Sequence, residues 1–230
     1  MRGHLAQPCA LCGRRSLGSA ICPACREGLP ALPEGCCPVC AQPTPLAEVC
    51  GACLKRPPAF DRTVAALRYA PPVDDLVQRF KYGSELALAE FFADRLAGAL
   101  ANRPLPDLLI PLPLHPSRTR ERGFNQALEI GKPLARRLGL ALDYQACARI
   151  RPTPPQAALP LKERRRNIRG AFACQGYLTG KHVALLDDVM TSGASLEELA
   201  RAVRRAGAAE VSVWVVARAL NGEHKKNTSL

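Results

Sequence analysis

The sequence predicts an α/β domain, a parallel sheet flanked by helices, carried behind a small cysteine-rich N-terminal module. Three observations lead there. An apolar run from Val183 to Asp187 meets a second acid, Asp188, and a small-residue turn; apolar residues then return at helical spacing from Leu196. An earlier stretch, Asp107 to Leu112, reads as another strand ending in a special loop. Nine of the eleven cysteines fall in the first 53 residues, and from Phe60 the composition becomes that of an ordinary globular chain.

A chain of 230 residues, 47% hydrophobic and 23% charged, supports one good core plus a small appendage. No apolar run approaches the roughly 18 residues of a membrane helix, and Met1 to His4 lead into no secretory core. A cytoplasmic protein without membrane insertion is therefore expected. The formal charge of +12 is uneven: residues 116–170 hold 13 Lys/Arg against 4 Asp/Glu. An anionic ligand would go to that block.

The cysteines form four C-x-x-C knuckles: Cys9/Cys12, Cys22/Cys25, Cys37/Cys40 and Cys50/Cys53. Each presents two thiolates, so two knuckles complete one tetrahedral Zn2+, and two structural zinc ions are expected. With few apolar residues to bury, the segment needs its metal to fold. A disulfide framework fits poorly without an export signal, and redox motifs rarely come four in tandem. Spacing leaves the pairing open, consecutive or interleaved, although the repeat favours consecutive. Cys36, beside Cys37, is an alternative ligand. Residues 1–56 thus form one unit, with Lys55 to Pro58 as a stiff exit, 60–220 a second, and 221–230 a polar tail.

Within the second unit, Thr63 to Tyr69 reads as a strand, Val73 to Lys81 as a short amphipathic helix, and Ser84 to Leu100 as a longer one. Phe80 to Gly83 between them is equally a helix end with a Gly stop or part of a hood over a substrate. After the second strand, Pro111, Pro113 and Pro116 forbid a helix and force an extended loop. Arg118, Arg120 and Arg122 follow at alternate positions, before Gly123 and a helix running through Leu138. If this strand neighbours the one ending at Asp187, both loops open on the edge where open α/β sheets bind ligands. Arginine suits multidentate phosphate oxygens, so the loop is a candidate anion site. Arg149 to Gln156 is broken by prolines and Leu161 to Gly170 is densely basic, which together suggest a mobile arm; contact with nucleic-acid phosphates fits equally well. Few aromatics interleave, so base stacking is not indicated. Val211 to Ala217 completes a strand-helix-strand crossover. Cys147 and Cys174 lack ligand spacing and read as core or surface thiols, and His115 as a loop-stabilising residue.

The turn Thr191-Ser192-Gly193-Ala194-Ser195 gathers backbone N–H groups, hydroxyls and a helix N-terminus at one point, a phosphate site. Carboxylates repel phosphate, so Asp187 and Asp188 should face sugar hydroxyls or a divalent cation. The stretch resembles the phosphoribosyl pyrophosphate (PRPP) signature of type I phosphoribosyltransferases. That resemblance implies that Asp187 and Asp188 hold the ribose 2- and 3-hydroxyls and that Thr191, Ser192, Gly193, Ala194 and Ser195 hold the 5-phosphate. A response-regulator pocket also pairs two aspartates after an apolar strand, but normally the first strand of its domain.

With the knuckles, and with the P-L-H-x-x-R-x-x-x-R-G-F-N-Q stretch from Pro113 to Gln126, the chain is similar to the ComF family, also called competence protein F or GntX-like. The likeness implies a double zinc ribbon joined to a type I phosphoribosyltransferase-like parallel sheet. It places Arg118, Arg122, Asn125 and Gln126 on the pyrophosphate side, and Thr153, Gln156, Arg165, Arg166 and Asn167 in a flexible loop closing over PRPP. Implied too are Mg2+ carried with PRPP, an unknown acceptor, and a part in DNA uptake or natural competence. Single-stranded DNA and a DNA-translocating ATPase are the implied macromolecular partners, the ribbons being suited to gripping either. The alternative is a non-catalytic, PRPP-sensing or DNA-binding adaptor. Displacing pyrophosphate builds positive charge on the ribose, and Mg2+ with arginine donors stabilises the leaving group, so no general base is assigned.

Overall fold

The computed structural model describes residues 6–83, 85–151, 167–175 and 178–221. The N-terminal segment contains β1 (Ala6–Pro8), β2 (Arg15–Leu17), α1 (Pro23–Glu27) and α2 (Gly51–Lys55). Then follow β3 (Arg62–Arg68), α3 (Val73–Tyr82), α4 (Ala87–Ala99), β4 (Leu108–Pro111), α5 (Pro116–Arg122), α6 (Gln126–Leu138) and β5 (Ala141–Leu142). The last part holds β6 (Cys147–Arg149), β7 (Phe172–Cys174), β8 (His182–Met190), α7 (Ala194–Arg205) and β9 (Glu210–Arg218). Five strands make one sheet in the order β3-β9-β8-β4-β5, every neighbouring pair parallel.

Period-two alternation in the central strands explains the layering. Val183 and Leu185 of β8 join Leu108, Ile110, Val211, Val213 and Val215 in one cluster, covered by Leu196, Leu199 and Val203 of α7. Ala184 and Leu186 turn the other way, to Leu109, Trp214 and Val216 and to α3, α4 and α6. Both faces are buried, which is why β8 reads as a continuous apolar run. On the second face Phe80 meets Phe92 edge-on at 5.5 Å between ring centroids. Each such fully buried side chain contributes about 1.5–3 kcal/mol of hydrophobic stabilisation.

Three expectations need correcting. The proline stretch does end in a helix: α5 begins at Pro116, where the missing N–H costs nothing and the fixed φ suits a first turn. The His115 side chain caps it, accepting from the Ser117 N–H. Second, β8 continues past Asp187 to Met190, because β9 keeps pairing with it as far as Met190 opposite Arg218. Both acids therefore sit inside the strand's carboxyl end. Third, Cys147 and Cys174 form a disulfide instead of remaining thiols. The antiparallel pair β6–β7 sets them directly opposite, with Cα atoms 4.0 Å apart. Their 27-residue separation in sequence gave no hint of this.

The cysteine-rich segment is packed onto the sheet domain. Ile21 is fully buried, and Cys9, Ala20, Cys22 and Leu29 belong to the same apolar cluster as α3 and α4. Beside the sheet's edge, the Thr63 N–H donates to Pro38 O at 3.0 Å and the Arg68 N–H to Pro30 O at 2.9 Å. Covering a sheet edge in this way blunts edge-to-edge association. The exit from the segment is anchored as well: Phe60 is buried, and the Ala59 N–H donates to Glu197 of α7 at 2.9 Å. Among the described residues, no helix is long and apolar enough to cross a membrane.

Candidate functional site

Cys9, Cys12, Cys22 and Cys25 lie together, as do Cys37, Cys40, Cys50 and Cys53, with the ligand atoms of each set within 4.8 Å of one another. The knuckles therefore pair consecutively. Cys12 Sγ and Cys22 Sγ are 3.7 Å apart, Cys40 Sγ and Cys50 Sγ 3.6 Å. Zinc–sulfur bonds of about 2.3 Å in a tetrahedron give sulfur–sulfur edges of about 3.8 Å, so the donor sets fit structural zinc. In both halves the first cysteine accepts a backbone N–H from the third, at 3.3 Å. Burial opposes the thiolates of Cys9 and Cys37, but backbone N–H groups outweigh it and bring the pKa values down to about 6 and about 7. Cys36 stands aside, its thiol directed at Pro33 O at 3.5 Å.

The acid pair lies at the carboxyl edge of the sheet. Asp188 is 5% exposed and Lys81, from the last turn of α3, reaches it with Nζ 3.0 Å from Oδ2. Burial works against the Lys81 charge, but Asp188 and then Asp187 more than compensate, and its pKa rises. Among the described residues, Asp187 has no such close cation. Burial, reinforced by the Asp188 charge, pushes its pKa up to about 8 despite the attraction of Lys81.

Directly beyond, Thr191, Ser192 and Gly193 lead into α7. Gly193 has φ +74°, which favours glycine, and a Cβ there would come 2.6 Å from the terminal methyl of Met190, which would have to shift. The first turn of α7 supplies N–H groups and the positive end of a helix dipole.

Burial and the nearby Arg118 charge lower the Arg149 pKa, while Asp187 opposes them, so the three groups share one electrostatic neighbourhood. Arg149 also lies over the Phe172 ring at 5.7 Å. Arg122 lies over the exposed Tyr82 ring at 5.4 Å and donates to Gln126 Oε1 at 3.2 Å. Asn125 caps α6, accepting from the Leu128 N–H at 3.3 Å, and its amide donates to Leu112 O at 3.1 Å, fixing the β4 exit.

The phosphoribosyl transferase domain model matches residues 125–229, and the double zinc ribbon model residues 4–54. The chain is 37% identical over 191 residues to DNA utilization protein YhgH of Salmonella typhi, spanning 80% of this chain and 84% of that one. It is 33% identical over 211 residues to competence protein F of Haemophilus influenzae, spanning 87% and 91%. The chain belongs to the ComF family. Competence protein ComFC of Bacillus subtilis is a more distant relative, 26% identical over 209 residues, spanning 86% of this chain and 84% of the relative.

In this ComF-family chain, Asp187, Asp188 and the turn Thr191–Ser195 are contiguous, as their adjacency in sequence requires. Arg118, in α5, pairs with Glu121 at 3.3 Å, and its charge bears on Arg149 as that of Asp187 does. Arg122, Asn125 and Gln126 make local contacts that shape the β4–α6 connection. Asn167 is half-buried at the return of the arm. Thr153, Gln156, Arg165 and Arg166 lie outside the described residues. Sequence reasoning missed Lys81, Arg149 and Arg218. For Lys81 a signal existed, a lysine within the Phe80–Gly83 segment suspected of a hood role. Arg218 is a buried cation at the end of β9, donating to Met190 O at 2.8 Å and Thr191 O at 2.5 Å, and nothing in an apolar strand's last residue announces that.

Proposed function

We propose that this chain binds Mg-PRPP across the acid pair and the Thr191–Ser195 turn, as a phosphoribosyltransferase-type protein serving DNA uptake or use. The observation that carries the reading is Asp187 and Asp188, set at the sheet's carboxyl edge beside Lys81 and immediately before a glycine-dependent turn at a helix N-terminus. Asp187 and Asp188 take the ribose 2- and 3-hydroxyls, and the turn takes the 5-phosphate. The Lys81 contact argues for this division, because an acid already paired with an ammonium suits a neutral diol better than a bare cation. Arg118 and Arg122, with Asn125 and Gln126 shaping their loop, lie on the pyrophosphate side. In a transfer, an acceptor would form a bond to the ribose C1 as the C1–O bond breaks and its electron pair leaves with pyrophosphate, positive charge growing on the ribose meanwhile; Mg2+ carried with the substrate would supply charge neutralisation at the leaving group. The cellular process rests on the relatives' names, DNA utilization and competence. Single-stranded DNA is the macromolecular ligand that suits the basic block from 116 to 170, and a DNA-translocating ATPase is a protein partner that the ribbons would suit.

Calorimetric titration of Mg-PRPP into the zinc-loaded chain tests the reading, beside an Asp187→Ala, Asp188→Ala double variant. A charged hydrogen bond lost at Asp188 is worth about 1.5–3 kcal/mol and a neutral one at Asp187 about 0.5–1.5 kcal/mol, so the variant's affinity should fall by about 30-fold or more. A wild-type chain that does not bind overturns the proposal. Pyrophosphate release in the presence of acceptors then separates a transferase from a PRPP-sensing adaptor.

A further inference from the structure

We infer that Arg218 builds the second cysteine cluster into the Thr191–Ser195 turn, so that this cluster, and not the first, holds the turn in shape. The inference rests on reading that turn as the phosphate site. Arg218 ends β9 and is 4% exposed. Its Nε donates to the carbonyl of Cys40 at 2.8 Å, while one terminal nitrogen donates to Met190 O at 2.8 Å, Thr191 O at 2.5 Å and Ala219 O at 2.8 Å. One rigid, planar guanidinium thus joins a cysteine knuckle to the last residue of β8 and the first residue of the turn.

A second link runs parallel to it. Gln42, buried, donates to Ala219 O at 2.9 Å and accepts from the Asn221 N–H at 2.9 Å. Gln42 is itself fixed on the knuckle, its carbonyl accepting from the Cys37 N–H at 2.8 Å. The charges agree as well. Four thiolates around one divalent zinc would leave a net charge of −2 on the knuckle whose Cys40 carbonyl Arg218 binds. A guanidinium this deeply buried needs such a counter-charge.

The first cluster, identical in spacing, is attached elsewhere. Arg26, next to Cys25, donates to Ile21 O at 3.1 Å, pairs with Asp94 at 3.4 Å and lies over Phe91 at 5.5 Å. Arg79 reaches Ala10 O. These contacts lead to α3 and α4.

Amide hydrogen exchange across Met190–Ser195, together with Mg-PRPP calorimetry, tests the inference on the zinc-loaded full chain. Cys53→Ser and Arg218→Met should speed exchange in that peptide by about tenfold or more, with α4 exchange unchanged. They should also weaken Mg-PRPP by about tenfold, a loss of about 1.4 kcal/mol. Arg218→Met should keep two zinc ions, and Arg218→Lys should recover part of both losses. Arg26→Ala should leave the turn as in the wild type. Turn exchange within about twofold of wild type in Cys53→Ser and Arg218→Met, or an equal effect from Arg26→Ala, overturns the inference. If Cys53→Ser loosens α4 as well, it has unfolded, and the Arg218→Met and Arg218→Lys pair decides. If the wild type binds no PRPP but turn exchange still follows the second cluster, the ligand assignment fails and the coupling stands.

Discussion

Replacing Lys81 by Met should cost the folded chain about 3 kcal/mol, because it strands Asp188 as a buried charge. The pair lies 3.0 Å apart, with side-chain exposures of 20% and 8%. At an effective dielectric of about 20, Coulomb's law gives about 5.5 kcal/mol of attraction. Desolvation of both ions offsets part of that, and removing one partner of a buried pair typically costs about 3–5 kcal/mol. Asp188→Asn should cost less, since Lys81, the more exposed partner, has Asp187 and solvent to turn to. The double variant should then recover about 2–3 kcal/mol relative to the sum of the single ones. Urea unfolding of the zinc-saturated proteins at neutral pH measures all four corners, and thermal midpoints should fall by about 6–12 °C for Lys81→Met. A coupling below about 0.5 kcal/mol would refute the view that Lys81 neutralises the acid pair.

Three further outcomes are expected. Asp187, with its pKa raised from 3.8 to about 8, holds a proton in the folded state that the unfolded chain has released. Its contribution to stability therefore falls as pH rises between those values, and Asp187→Asn should flatten the midpoint-versus-pH curve and gain about 1–3 kcal/mol near pH 8.5; a variant curve as steep as wild type would count against the raised value. Gly193→Ala should cost about 1–2 kcal/mol from the left-handed backbone alone, the Met190 methyl being free to swing aside, and should weaken Mg-PRPP in calorimetry. Thiol-triggered zinc release should count two ions per chain in Cys36→Ser and one in Cys37→Ser; the reverse would move the ligand to Cys36.

What the sequence made legible is what depends on local pattern. The parallel neighbours β4 and β8 were foreseeable from two apolar runs and their loops, and the register sets Leu108 beside Val183. The zinc knuckles followed from spacing alone. What stayed hidden depends on contacts between distant segments. Consecutive knuckle pairing needed coordinates to decide, and the Cys147–Cys174 bridge arises only once β6 and β7 align. α5 was missed because proline was weighed as a helix breaker, although at a helix's first position it is a helix former. The role of Lys81 requires α3 to lie over the end of β8, a tertiary fact.

Lys81 also answers a difficulty the sequence raises, that two carboxylates stand next to a phosphate site. A doubly negative pair would repel any phosphorylated ligand before contact. With Lys81 at Asp188 the local charge is at most one negative, and with Asp187 holding its proton at neutral pH it is about zero. Among the described residues, Arg118 and Arg149, whose charges interact with each other and with Asp187, and the α7 dipole then contribute positive potential, attractive to phosphate. Hydroxyls of an arriving sugar can donate to the acids without displacing a hydration shell from a bare dianion. On the proposed reading, the ion pair and the shifted proton would let one narrow edge recognise opposite chemistries, an anion and a diol, a few residues apart along the same strand and turn.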